Sequence, residues 1–340
     1  MRNRLRIVAM VLMAITSVPV QAAWQDAPEV KALYEKAKAE GKVVVWGTQR
    51  NEVDWMPKAF NAMFPGIEVR WVADNDLATK AIAEARGGRH EIDVFWSTLT
   101  GILPVVQRDL IARTDWTPFA VGKDGTGFDG RMAYTHNTAY SFAYNRDITN
   151  TADLPKNWGD LTDPKYKGTM TSSLFLLPRL IGALSLPWGN DKAVQFARDV
   201  TTKQDVLLTR APREPIVNSG ERKYAMGEID SLVRIWRDAG LHIDYVIPEP
   251  VVLVQGGGGV MAKAPHPSAA RLLAGYLASP EGKAARKVAT NSEDYGPAGT
   301  SETAKQINAG KLQAVRDLPE LMDQREKAIG QMGPIVAGQR

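Results

Sequence analysis

Apolar positions alternate between helical and extended spacing along the first half of the chain. Val30, Leu33, Tyr34 and Ala37 recur at helical spacing over residues 29–40, and Gly41 is suited to end that helix. Val43, Val44, Val45 and Trp46 form a short continuous apolar run, the signature of a parallel strand buried on both faces. A second helix carries Ala59, Phe60 and Met63 and stops at Pro65-Gly66; strand 67–72, helix 76–86 and strand 93–96 follow. This βα alternation predicts a parallel sheet with helices on both faces. In such sheets ligands bind beyond the carboxyl ends of the strands. The rule nominates Gly47, Thr48, Gln49 and Arg50 after the first strand, Asn75 and Asp76 after the second, and Ser97 and Thr98 after the third.

Residues 116–131, rich in Gly, Asp and Thr, predict a surface loop, followed by a strand over 141–145. Turn residues dominate 154–168. A second alternating unit runs to about Pro250, with a helix at 191–201, a polar region over 210–222 and a strand at 229–233. Residues 251–254 and 260–262 read as two strands joined by the glycines 256–259, and helices are expected at 267–278, 280–289 and 319–329. There is no repeat of 20–50 residues and no low-complexity segment.

The amino terminus sets the expected compartment. Arg2, Arg4 and Arg6 precede an apolar run, Ile7 to Val20, and then Val20-Gln21-Ala22, which reads as an export leader, residues 1–22, cut near Ala22. That run is too short for a transmembrane helix, and no later segment is long and apolar enough to span a bilayer. Loss of those three arginines lowers the formal net charge from +4 to +1, so the mature chain is nearly neutral and has no electrostatic footprint for nucleic acid. With no cysteine, the chain has no disulfide framework, thiolate metal site or Cys nucleophile. His90, His136, His242 and His266 are dispersed without metal-binding spacing, and Gly256–Gly259 lacks the Lys-Ser/Thr of a phosphate loop. No cofactor is called for. The 44% hydrophobic composition and the length suit one large or two medium globular domains.

Several local phrases, in order, resemble one family. They are Lys38 to Trp46 (KAEGKVVVW), Phe64 to Val69 (FPGIEV), Ile92 to Trp96 (IDVFW), Leu154 to Gly168 (LPKNWGDLTDPKYKG), Ala264 to Pro267 (APHP) and Ser279 to Gly282 (SPEG). The chain resembles the periplasmic solute-binding proteins of ABC importers, in the branch with ferric-ion, polyamine, thiamine and phosphonate binders. The resemblance implies an α/β, two-lobed periplasmic-binding-protein fold: two hinge crossing strands, mixed sheets and helices on both faces. The crossings fall near residues 136–141 and 252–262. Lobe 1 is expected over 23–135 plus about 252–295, and lobe 2 over 136–251 plus about 296–340. It further implies a periplasmic, monomeric protein without catalytic activity, which captures a solute by hinge closure and delivers it to ABC permease subunits.

The ferric members carry a His after the first strand, a Glu after the third and a Tyr-Tyr pair after a "GE" element; the matching places here are Arg50, Thr98 and Arg237-Asp238. Arginine repels a cation, so the expected ligand is a small organic anion bearing a carboxylate, phosphonate or phosphate, with ferric ion as the alternative. Thr171 to Phe175 resembles the family's "TSGAF" anion cradle, which nominates Ser172 and Ser173 at a helix amino end. Asn218 matches a cleft-facing family Asn. Of six arginines in the second unit (179, 210, 213, 222, 234 and 237), Arg213, between two prolines, is the strongest candidate after Arg50. Trp96 and Tyr140 could stack on an organic ligand. A secreted lyase or hydrolase on the same fold is the alternative of another class, although no G-x-S-x-G is present.

Overall fold

A computed structural model describes residues 23–47, 54–74, 76–296 and 299–337. The export leader and Thr48, Gln49, Arg50 and Asn75 lie outside the described residues. The first half folds as the apolar pattern dictates: α1 (Pro28–Glu40), β1 (Lys42–Gly47), α2 (Met56–Met63), β2 (Glu68–Ala73), α3 (Leu77–Arg86), β3 (Val94–Thr98) and α4 (Leu99–Val106). Gly41 ends α1 with a left-handed φ of 74°, where a side chain would be strained. β1 lies between β2 and β3, parallel to both. Then come β4 (Thr126–Gly127), β5 (Met132–Asn145), β6 (Met170–Ser173), α5 (Leu176–Trp188), α6 (Asn190–Thr202), β7 (Leu207–Thr209), α7 (Glu214–Asn218), β8 (Tyr224–Ile229), α8 (Asp230–Asp238) and β9 (Ile243–Val246). The chain closes with β10 (Val251–Val260), α9 (Pro267–Ala278), α10 (Pro280–Thr290), α11 (Glu302–Asn308), β11 (Ala314–Arg316), α12 (Met322–Gln331) and α13 (Gly333–Ala337).

Among the described residues the strands run in the order β2-β1-β3-β10-β5-β8-β6-β7, with β11 beside β10 and both β4 and β9 beside β5. β5 belongs to two halves at once. Residues 133–139 pair with β10, and residues 140–144 pair with β8. Each half has its own cores. In the first, Val43, Val45, Phe60, Leu272 and Leu273 pack under α1, α2 and α9, while Leu77, Phe95, Leu99 and Ile102 pack on the opposite face. In the second, Phe142, Leu177, Leu180, Leu184 and Phe196 lie under α5 and α6, and Ala143, Val233 and Trp236 lie under α8. Burial of each large apolar side chain contributes about 1.5–3 kcal/mol, and two separate cores make two lobes.

Three expectations are corrected. Residues 230–233 are helical: β8 ends at Ile229 and Asp230 opens α8, where Val233 and Trp236 point inward and Arg234 reaches back one turn to Asp230 at 2.7 Å. The segment 229–233 begins and ends on β-branched residues, Ile229 and Val233, which suits a strand, but its buried side falls at a spacing of three. The strand expected from 141 begins at Met132, because the polar positions Thr135, Asn137 and Thr138 are buried in the crossing. Finally, Gly256–Gly259 do not join two strands but lie inside one, β10. A Cβ on Gly257 would stand 2.1 Å from the Ala133 carbonyl oxygen, and one on Gly256 would stand 2.3 Å from the His136 ring. The glycines let β10 press against β5 and the Trp96–His136 stack, whose rings lie 6.1 Å apart with 22° between their planes.

Two outcomes follow from this crossing. Gly257→Ala forces a methyl against backbone and should lower unfolding free energy by about 1–3 kcal/mol in urea titrations. Burial holds the His136 imidazole well below its ordinary pKa of 6.5. The unfolded chain therefore binds the extra proton first, and stability should fall with pH below about 6.5, by up to about 1.4 kcal/mol per unit. His136→Phe should flatten that slope in denaturation curves taken from pH 7 to 5.

Candidate functional site

Strand directions locate the crevice. β3 and β5 are both antiparallel to β10 and so run the same way; β8 is antiparallel to β5, and β6 is parallel to both β8 and β7. The carboxyl ends of β1–β3 therefore point toward those of β6–β8. On β10, Gly256 pairs with both Thr98 and His136, while Ile229 pairs with Tyr140. The two carboxyl edges thus meet across β5 residues 136–140, about 13 Å at strand rise. A crevice between opposed carboxyl edges is where α/β sheets bind ligands.

Each edge brings particular groups there. Thr98 caps α4, its Oγ1 accepting from the Gly101 amide at 3.3 Å. Ser173 lies two residues before the α5 cap Phe175, its hydroxyl accepting from the Phe175 and Leu176 amides at 3.1 and 3.3 Å, while the Leu174 amide donates to the Thr209 carbonyl. Pro178 has no amide proton to offer. The amino end of α5 therefore keeps its positive dipole but has few free donors. Ser172 is fully buried and its hydroxyl donates to the Met226 carbonyl at 2.7 Å. Arg213 is committed to a carboxylate: Nε donates to Glu228 Oε1 at 2.6 Å and Nη2 to Oε2 at 3.1 Å, a two-pronged pair on a carboxylate with no exposed surface. Burial pushes the Glu228 carboxyl up despite that partner, whereas the same hydrogen bonds hold Arg213 protonated against its own burial.

The remaining nominated residues are placed as follows. Asn218 lies at the end of α7, where its Oδ1 accepts from the His242 amide at 2.8 Å and its carbonyl accepts from Asn145. Trp96 is core, packed between Trp71 and His136. Tyr140 is buried in the lobe carrying α5, and burial pushes its hydroxyl up to about 12. Two residues that were not nominated stand out at the same edge. Phe175, 52% exposed, precedes α5, and the Arg210 guanidinium at the end of β7 lies 5.0 Å from its ring. Phe175 closes the 171–175 phrase and Arg210 is one of the six arginines of the second unit, but a large exposed aromatic is visible only once the strands are placed.

Hydrogen bonds brace the hinge. The Ala139 amide donates to Asp230 Oδ1 at 2.9 Å, and Asp230 Oδ2 accepts from Tyr295 Oη at 2.6 Å and Arg234 Nη2 at 2.7 Å. Asn137 Oδ1 accepts from the Tyr295 amide at 2.8 Å. Among the described residues no three His, Asp or Glu side chains gather as a metal site. Arg213→Ala would leave Glu228 buried and unpaired, and should destabilise the protein by about 3–5 kcal/mol. Glu228→Gln/Arg213→Gln should recover part of that loss in chemical denaturation.

The profile "Bacterial extracellular solute-binding protein" matches residues 47–170, and a second profile of the same description matches residues 123–312. No curated protein matches the chain. Solved structures share the fold at low identity. Iron-bound HitA from Pseudomonas aeruginosa is 17% identical with a TM-score of 0.71, covering 86% of this chain and 99% of its own. The substrate binding protein of an ABC transporter from Agrobacterium tumefaciens is 15% identical with a TM-score of 0.73, covering 88% and 96%. AfuA from Actinobacillus pleuropneumoniae, solved with fructose-6-phosphate, is 18% identical with a TM-score of 0.69, covering 87% and 99%. With two lobes, opposed carboxyl edges and a profile match over more than half its length, this chain belongs to the bacterial extracellular solute-binding proteins.

Proposed function

We propose that the chain captures a small organic anion in the crevice and hands it to ABC permease subunits as a periplasmic, non-catalytic carrier. The observation that carries this reading is the exposed Arg210–Phe175 pair at the amino end of α5. A guanidinium beside a positive helix end attracts carboxylate, phosphonate or phosphate, and the open face of Phe175 suits an organic body. Arg210, rather than the occupied α5 amides or the committed Arg213, is then the principal anion contact. Thr48, Gln49 and Arg50 are proposed to meet the ligand from the opposite edge.

The lobe division is part of the proposal: 23–135 with about 252–295 in one lobe, and 136–251 with about 296–340 in the other. Packing of α9 on α1 and of α12 on α5 supports it. A ligand touching both edges favours the closed arrangement by its differential affinity, and closure presents a loaded surface to the transporter. The neighbours include an iron-bound protein and a sugar-phosphate-bound one, and an exposed arginine at the crevice edge favours an anion over a cation.

A calorimetric panel of citrate, a hexose phosphate, an alkylphosphonate and Fe³⁺ tests the reading. One of the organic anions should bind, and Arg210→Gln should weaken it about tenfold, roughly 1.4 kcal/mol. Tight Fe³⁺ binding with no response to any organic anion would overturn it.

A further inference from the structure

A cavity of about 510 Å³ lies beside the hinge, apart from the α5 edge of the crevice, and its lining includes none of Ser173, Phe175, Arg210 or Arg213. Its origin is a gap in the sheet. β5 pairs with β4 through Ala133 and with β8 from Tyr140, so among the described residues the edge of β5 between them has no strand beside it. Residues 292–296 run along that gap, held by Asn137, and α10 forms the facing wall.

The walls are rich in cations. Lys283, Arg286 and Lys287 are spaced on one face of α10, and Arg316 enters from the end of β11. Arg316 Nη2 donates to the Tyr295 carbonyl at 3.2 Å and Lys287 Nζ to Thr300 Oγ1 at 3.1 Å, both neutral acceptors, while Arg286 Nη1 donates to Ser292 Oγ at 3.2 Å as one of its contacts. Lys283 is the telling group. It is half-buried, and its ammonium makes no hydrogen bond or ion pair among the described residues. Burial lowers its pKa although Asp294 pulls it upward. The Asp294 carboxylate is engaged elsewhere, accepting from the Gly296 amide at 2.8 Å and from Asn137 at 3.4 Å. Asp124 and Glu293 are the other acids of the lining. A lysine held in a roomy polar cavity, with no direct hydrogen bond or ion pair to its ammonium among the described residues, is suited to an incoming anion.

We propose that this cavity is a second, hinge-side site for a small oxyanion, phosphate or carboxylate, with Lys283 Nζ as its main contact and Arg316 closing it from β11. α10 packs on α9 and α2 of the first lobe, whereas β11 lies along the amino-terminal part of β10. An anion joining Lys283 to Arg316 therefore ties a lobe to the hinge, and its occupancy is linked to lobe closure and hence to solute affinity.

The test is calorimetric titration of the mature protein with inorganic phosphate and, separately, citrate. One equivalent of anion should bind at millimolar concentration or tighter, survive Arg210→Gln, persist in Lys283→Arg and weaken about tenfold or more in Lys283→Gln. Thermal melts establish that the variants are folded, and Arg316→Gln supplies the same readout should Lys283→Gln fail to fold. Absence of binding by both anions overturns the proposal. So does wild-type binding in Lys283→Gln and Arg316→Gln, or complete loss in Arg210→Gln, which would place the anion in the crevice.

Discussion

The pairing of β5 with β10 is the constraint on which the rest depends. Because these two strands are antiparallel and each continues from one half of the sheet to the other, strands added to β10 on one side and to β5 on the other run in opposite directions. Their carboxyl edges are brought face to face by backbone hydrogen bonding alone. No side chain has to specify the crevice; side chains decide only what binds in it. The four consecutive glycines of β10 express the same constraint, since β-carbons there would collide with the Ala133 and Arg131 carbonyls and the His136 ring.

Within that frame, polar groups divide into those that hold the hinge and those that face outward. Asp230, Tyr295, Arg234 and Asn137 are hydrogen-bonded together where residues 292–296 pass β5. Arg213 and Glu228 do the same inside the lobe carrying α5. Buried ionic groups must be paired, so the arginines with well-made partners are the least available to a ligand. The exposed Arg210 is the opposite case, its guanidinium lying over the ring of Phe175.

The first lobe was legible because buried parallel strands carry unbroken apolar runs and their helices carry a clear stripe: α1, α2, α3 and β1 lie within a residue or two of where the pattern puts them, apart from the start of α2, which the pattern left open. The crossing was not. β5 buries Thr135, Asn137 and Thr138, polar residues satisfied by tertiary partners that no local pattern announces. α8 follows β8 with no intervening turn, so Ile229 to Val233 read as one strand, and α5 contains Pro187, which discourages a helical reading. The family phrases pointed to Ser172 and Ser173 at the end of β6, but not to how those hydroxyls are spent. Burial of Arg213 and exposure of Phe175 are properties of the assembled sheet.

The central claim is that solute is gripped between the two carboxyl edges and that the lobes close on it. The absence of cysteine makes this directly measurable. Spin labels on cysteines introduced at Lys58 of α2 and Arg198 of α6, both exposed, report the separation of the lobes by pulsed electron resonance. The compound from the calorimetric panel that binds should shorten and narrow the distance distribution. Stoichiometric binding with an unchanged distribution would contradict the account.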